Sequence, residues 1–64
     1  MLYTLVRIDQ EKVKPRDDET PLRAAKRMAV EELHRWYPGE AIMGATVIEI
    51  DTIKKELLIK LVWG

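Results

Sequence analysis

The chain has 64 residues, 11 Lys and Arg against 11 Asp and Glu, one His and no Cys. That length holds one small domain, and chains below roughly 70–80 residues seldom bury enough apolar surface without a staple, a metal or a partner. The missing thiols exclude disulfides and thiolate metal sites, the lone His34 argues against a structural zinc centre, and the zero formal charge argues against a dedicated nucleic-acid or membrane-surface binder.

Met1 to Ile8 alternates with the period of a strand. Leu2, Val6 and Ile8 share one side with Thr4, while Tyr3 and Leu5 share the other with Arg7. Asp9 to Glu19 is a charged connection of 11 residues, longer than the usual link of about 4–6. It reads as a solvated loop in which the strand could continue to Val13; a sharper reading is a mobile binding loop carrying Lys12, Lys14 and Arg16.

Thr20 to Tyr37 is the long amphipathic helix. Thr20 suits the N-cap, Pro21 the first helical position, and Asp17, Asp18 and Glu19 precede the positive end of the dipole. Leu22, Ala25, Ala29, Leu33 and Trp36 form one narrow apolar stripe, flanked by Met28 and Val30, with Arg23, Arg27, Glu31 and His34 outside. Pro38 and Gly39 end it. The two alanines let the helix sit close on a sheet, and Trp36 is expected to close the bottom of the core.

Glu40 to Asp51 is the second strand, with Thr46, Ile48 and Ile50 on one side and Met43, Ala45 and Val47 on the other. Gly44 marks a bulge or a close backbone approach. Asp51 to Lys55 reads as a hairpin loop capped by Asp51. Glu56 to Trp63 is the third strand, with Leu57, Ile59, Leu61 and Trp63 on one side and Leu58, Lys60 and Val62 on the other. Being apolar on both sides, it belongs in the centre. The expectation is a single α+β domain over residues 1–64: β-α-β-β, a three-stranded antiparallel sheet of order 2-3-1, one helix across one face.

One helix covers one face. The other would carry Tyr3, Leu5, Met43, Ala45, Val47, Leu58 and Val62, or the equally apolar complementary set, and such a patch usually marks an interface. Burying ~600 Å² of it per subunit is worth on the order of 15 kcal/mol before association costs. The chain is therefore expected to be a homodimer or higher oligomer, with sheet faces stacked or edge strands joined, and Tyr3, Leu5, Met43, Val47, Leu58 and Val62 in the interface. The alternative is that strand twist and the long loop close the second face.

Chemistry is sparse. There is no Ser or Cys, and the four threonines sit in strand, cap and turn, so no nucleophile–base pair stands out and no enzymatic activity is expected. Glu31 and His34 have the i, i+3 spacing of di-metal bundles, but further ligands are lacking, and the plainer reading is a surface pair. No metal or cofactor is called for, although Trp36, Tyr37 and Trp63 are the aromatics on which a flat ligand would stack. Arg23, Lys26 and Arg27 join Lys12, Lys14 and Arg16 as a basic ridge for phosphates. The run Asp17-Asp18-Glu19 interrupts that ridge, and Glu19 with Arg23 and Arg27 with Glu31 can pair within the helix. Nucleic-acid binding by a dimer is the second reading, and a small-ligand-binding oligomer the third. The first is a self-associating protein-interaction or scaffolding module. No apolar run nears the roughly 20 residues of a membrane span, and the N-terminus lacks the order of a secretory signal, so a cytoplasmic setting is expected. The absence of Ser, Asn, Cys and Phe, a single Gln10 and 34% charged residues lean toward a thermophile bias.

Overall fold

The computed structural model describes all 64 residues. Leu2–Asp9 forms β1, Pro21–Trp36 α1, Ile42–Asp51 β2 and Glu56–Trp63 β3. The sheet is antiparallel with order β1-β3-β2, and α1 packs on one face, as the hydrophobic patterns predict. Leu57, Ile59, Leu61 and Trp63 are buried under the helix, whereas Leu58, Lys60 and Val62 are half-buried on the opposite, open face. Central placement hydrogen-bonds β3 on both edges, which its apolar faces require.

Local chemistry sets the ends of α1. Thr20 Oγ1 accepts from the Arg23 amide at 3.2 Å, Pro21 opens the first turn, and Gly39 takes a φ of 83° just past the end. His34 Nε2 lies 2.8 Å from the Glu40 carbonyl, tying the last turn to the chain leaving it. Ala24, Ala25 and Ala29 are fully buried, so the helix backbone comes close to the sheet. The apolar stripe overhangs at both ends: Leu22 and Trp36 are exposed.

Trp36 does not close the core. It is 75% exposed, and Trp63, at 7%, takes that place. The Trp63 indole donates to Thr4 Oγ1 at 3.0 Å, and Tyr37 stacks on its ring with centroids 4.7 Å apart. A buried indole needs a partner for its N–H, and β1 supplies one that the helix end does not.

Of two register shifts in β2, the first reverses its expected sides and the second restores them. Pairing with β3 slips between Ile42 and Gly44 and again between Val47 and Glu49, so Met43 and Ile48 are the extra residues. Each inserted residue changes the parity of the side chains that follow. Ala45 stands opposite Leu61 and Val47 opposite Ile59, and both pack against the core rather than on the open face. Thr46, opposite Lys60, takes the open face, and Ile50, opposite Leu57, returns to the helix side. Gly44 sits at the first bulge, but no backbone crowds it: a Cβ there would meet nothing within 4 Å.

β1 ends at Asp9 rather than reaching Val13. Asp9 caps a short 3₁₀ turn, Gln10–Lys12, by accepting from the Glu11 amide at 2.9 Å. Val13 then packs against the core. The β2–β3 hairpin closes as expected: Asp51 Oδ1 accepts from the amides of Ile53 at 3.0 Å and Lys54 at 2.9 Å, and Lys55 takes the left-handed φ of 55°.

The core cluster holds nine buried residues, with Ile59 and Leu61 its largest fully buried side chains. Ile59→Ala is expected to cost about 3 kcal/mol, a large share of the roughly 3–10 kcal/mol usual for this length. Urea unfolding followed by far-UV circular dichroism checks this; a loss under about 1 kcal/mol would show that the site collapses around the smaller side chain.

Candidate functional site

The open sheet face is the side of the sheet that the helix leaves uncovered. Its cross-strand rows follow from register: Tyr3, Val62 and Gly44; Leu5, Lys60 and Thr46; Arg7, Leu58 and Glu49; Asp9, Glu56 and Asp51. Of the expected interface residues, Tyr3, Leu5, Leu58 and Val62 lie together here, Val47 lies on the core side, and Met43 sits in the bulge. The face is more mixed than simple alternation predicts. Lys60 stands in its middle with Nζ 5.0 Å from the Tyr3 ring centroid, and one end is charged.

The long connection does not fold over this face. It is pinned to the helix by Arg27, whose Nε and Nη2 form a fork on Glu19, both at 3.0 Å. Nη1 reaches Glu31 at 2.8 Å, and Nη2 also reaches the Lys14 carbonyl at 3.3 Å. Glu19 Oε1 further accepts from the Arg16 amide at 3.1 Å. The Glu19 side chain is only 14% exposed. The fork from Arg27, then the Arg16 amide, hold its carboxyl below the ordinary range, and the two carboxylates, Glu19 first, hold the Arg27 guanidinium above its own.

This arrangement breaks up the basic ridge. The Arg27–Glu31 helical pair forms as expected. Glu19, however, pairs with Arg27 and not with Arg23. Lys12, Lys14, Arg16 and Arg23 are exposed and Lys26 half-buried, all without a carboxylate partner, whereas Arg27 spends its donors on the protein. Nothing in the sequence marks Glu19 and Arg27 as partners, because they are eight residues apart with a change of chain direction between them.

The spacing of Glu31 and His34 is likewise used internally, since Glu31 faces Arg27 and His34 the Glu40 carbonyl. No group of three or more His, Asp or Glu side chains is placed to hold a metal ion, and no helix is long and apolar enough to cross a membrane. Of Trp36, Tyr37 and Trp63, Trp36 stands free of the core. It borders an open groove of about 470 Å³ between the second half of α1 and β1. A second groove, about 420 Å³, lies at the other end between Leu22 and Ile50.

The Glu19 carboxyl is depressed in the fold, so its contribution is fully present above the unfolded carboxyl value of about 4.3 and is lost as pH falls through the lower folded value. Glu19→Gln should lower the melting temperature at pH 7, and the gap from the native chain should narrow as the pH is taken down to 2; a constant gap would mean that the charge plays no part. Arg27→Ala should speed tryptic cleavage after Arg16 by on the order of tenfold as the loop is released, and Arg27→Lys, lacking the fork, should restore little of the protection.

Comparison with protein-family models, curated proteins and solved structures found no match to this chain.

Proposed function

We propose that this chain is a non-enzymatic, self-associating α+β module whose work is protein–protein interaction or scaffolding, with a second copy of itself as its first partner. The observation that carries this reading is the amount of surface left open. A compact monomer of 7.5 kDa is expected to expose about 4,250 Å² on the scaling of area with mass. This chain exposes 4883 Å². The excess, roughly 600 Å², approaches the ~800 Å² that each partner contributes to a standard interface. Large apolar side chains are part of the open surface: Leu2, Tyr3, Leu5, Trp36 and Tyr37 are all exposed. The Arg27 clamp holds the long connection against the helix, so that segment does not serve as a cover.

Nucleic-acid binding is less well supported. One of its six cations, Arg27, is committed to Glu19 and Glu31, and zero net charge offers no long-range attraction to phosphate.

Solution mass by light scattering across a dilution series tests the proposal. A mass of about twice the chain's 7.5 kDa, persisting to micromolar concentration, is expected; a single-chain mass at every concentration would end the self-association reading.

A further inference from the structure

We propose that the second copy docks on the free edge of β1, pairing β1 with β1 of the partner in antiparallel register centred on Leu5, so that two three-stranded sheets become one of six strands. This deepens the self-association reading and rests on it.

The two edges of the sheet differ. β2 carries two bulges, and bulges blunt an edge against pairing. β1 runs in unbroken register from Leu2 opposite Trp63 to Asp9 opposite Glu56. The Gln10 amide donates to the Lys55 carbonyl at 2.9 Å. In a regular antiparallel ladder the bonded residues alternate, so the even residues of β1 bond to β3. The odd ones, Tyr3, Leu5 and Arg7, turn their N–H and C=O groups outward with no partner strand. β1 therefore presents a regular, unpaired template.

One flank is largely apolar, with Thr4, Arg7 and Glu32 among its lining. The groove of about 470 Å³ runs along this strand, bordered by Leu33, Trp36 and Tyr37 of the helix end. Trp36 is the most exposed aromatic of the chain, and Leu2, Tyr3 and Leu5 are all exposed on the strand beside it. An added strand would place its inward side chains in that groove and cover them with Trp36.

The occupant that fits is β1 itself. Centring the pair on Leu5 sets Tyr3 opposite the partner's Arg7, Leu5 opposite the partner's Leu5, and Arg7 opposite the partner's Tyr3. Each outward-bonding residue then meets another, a guanidinium lies beside an aromatic ring at both ends, and an apolar pair sits at the two-fold axis. On the helix side Leu2 meets the partner's Ile8 and Thr4 meets the partner's Val6. Centring one residue later, on Val6, would set Tyr3 against the partner's Asp9 carboxylate and Leu5 against the partner's Arg7.

Stacking of the open faces is the competing geometry, and Lys60 opposes it. Its ammonium stands in the middle row of that face between Leu5 and Thr46. Stacking would take it out of water with no carboxylate in its own row or the next toward Gly44, a costly burial. Edge pairing leaves Lys60, Glu49 and Glu56 in solvent.

Residue-resolved amide hydrogen exchange of the native chain, at a concentration where light scattering reads a dimer, is the test. The Tyr3, Leu5 and Arg7 amides should exchange at least ~100-fold more slowly than in an open peptide and should lose that protection on dilution to monomer. Leu5→Pro removes one outward N–H at a position where an edge strand tolerates proline, and should weaken dimerisation by at least ~100-fold. Leu58→Lys, on the open face, should leave the dimer intact. Rapid exchange at Tyr3, Leu5 and Arg7 in a stable dimer, or dissociation by Leu58→Lys but not Leu5→Pro, would overturn edge pairing while sparing self-association. A monomer at every concentration would overturn both. If Leu5→Pro fails to fold, the native exchange pattern decides alone.

Discussion

Ile59 and Leu61, on the helix side of the central strand, share a core with Ala25 and Ala29, and the rest of the structure depends on how close those small residues let the helix come. Alanine adds little side-chain volume between backbone and sheet, so α1 and β3 enclose a dry layer with few atoms. The cost is a small core: only ten of 64 residues are buried. A helix seated on one side gives no cover to the other side of the sheet, nor to the outer edge of β1. Such a compact core therefore leaves surface that a larger domain would cover with further elements.

The elements that could be read in the sequence are those fixed by local chemistry. Thr20, Pro21, Pro38 and Gly39 specify the helix ends through groups that act within one turn, and the structure places α1 between them. β3 is legible because Leu57 to Trp63 is a short apolar run broken only by Lys60, and its central position follows from two apolar sides. β2 is only half legible. Gly44 hints at the first bulge, but nothing in Val47-Ile48-Glu49 distinguishes a bulge from straight strand. The parity reversal at the first bulge moved Ala45 and Val47 to the core and brought Thr46 to the open face. The exchange of roles between Trp36 and Trp63 was hidden for a different reason. Periodicity assigns Trp36 to the apolar stripe but does not say that the stripe outruns the sheet, and the bond from Trp63 to Thr4 joins the two ends of the chain. Pairing of Glu19 with Arg27 likewise depends on the turn of the chain before the helix.

Equal numbers of acids and bases conceal an uneven distribution. Arg27 gathers Glu19, Glu31 and the Lys14 carbonyl on the outer side of the helix, spending charge to hold the connection in place. A charge-assisted fork does this more firmly than an exposed pair such as Arg35 with Glu32. The connection thereby leaves both the open face and the β1 edge bare. Its position accounts for the exposed surface as much as the small core does.

A bare strand edge is ordinarily a hazard, since each added chain presents a new edge to the next. Here the two edges are unlike. β1 is regular along its length, while β2 is kinked twice. Two copies joined through β1 would have only β2 at either end, so a two-fold contact uses the sole regular edge and closes the assembly. Growth into a fibre would require β2 to pair as well, and each of its bulges leaves a residue unpaired and bends the strand away from a straight partner. Zero net charge fits the same geometry, because it puts no long-range repulsion between two copies. The bulges that obscured the sides of β2 in the sequence thus bear on the proposed pairing as well: they would leave β1 as the regular edge on which a second copy could dock.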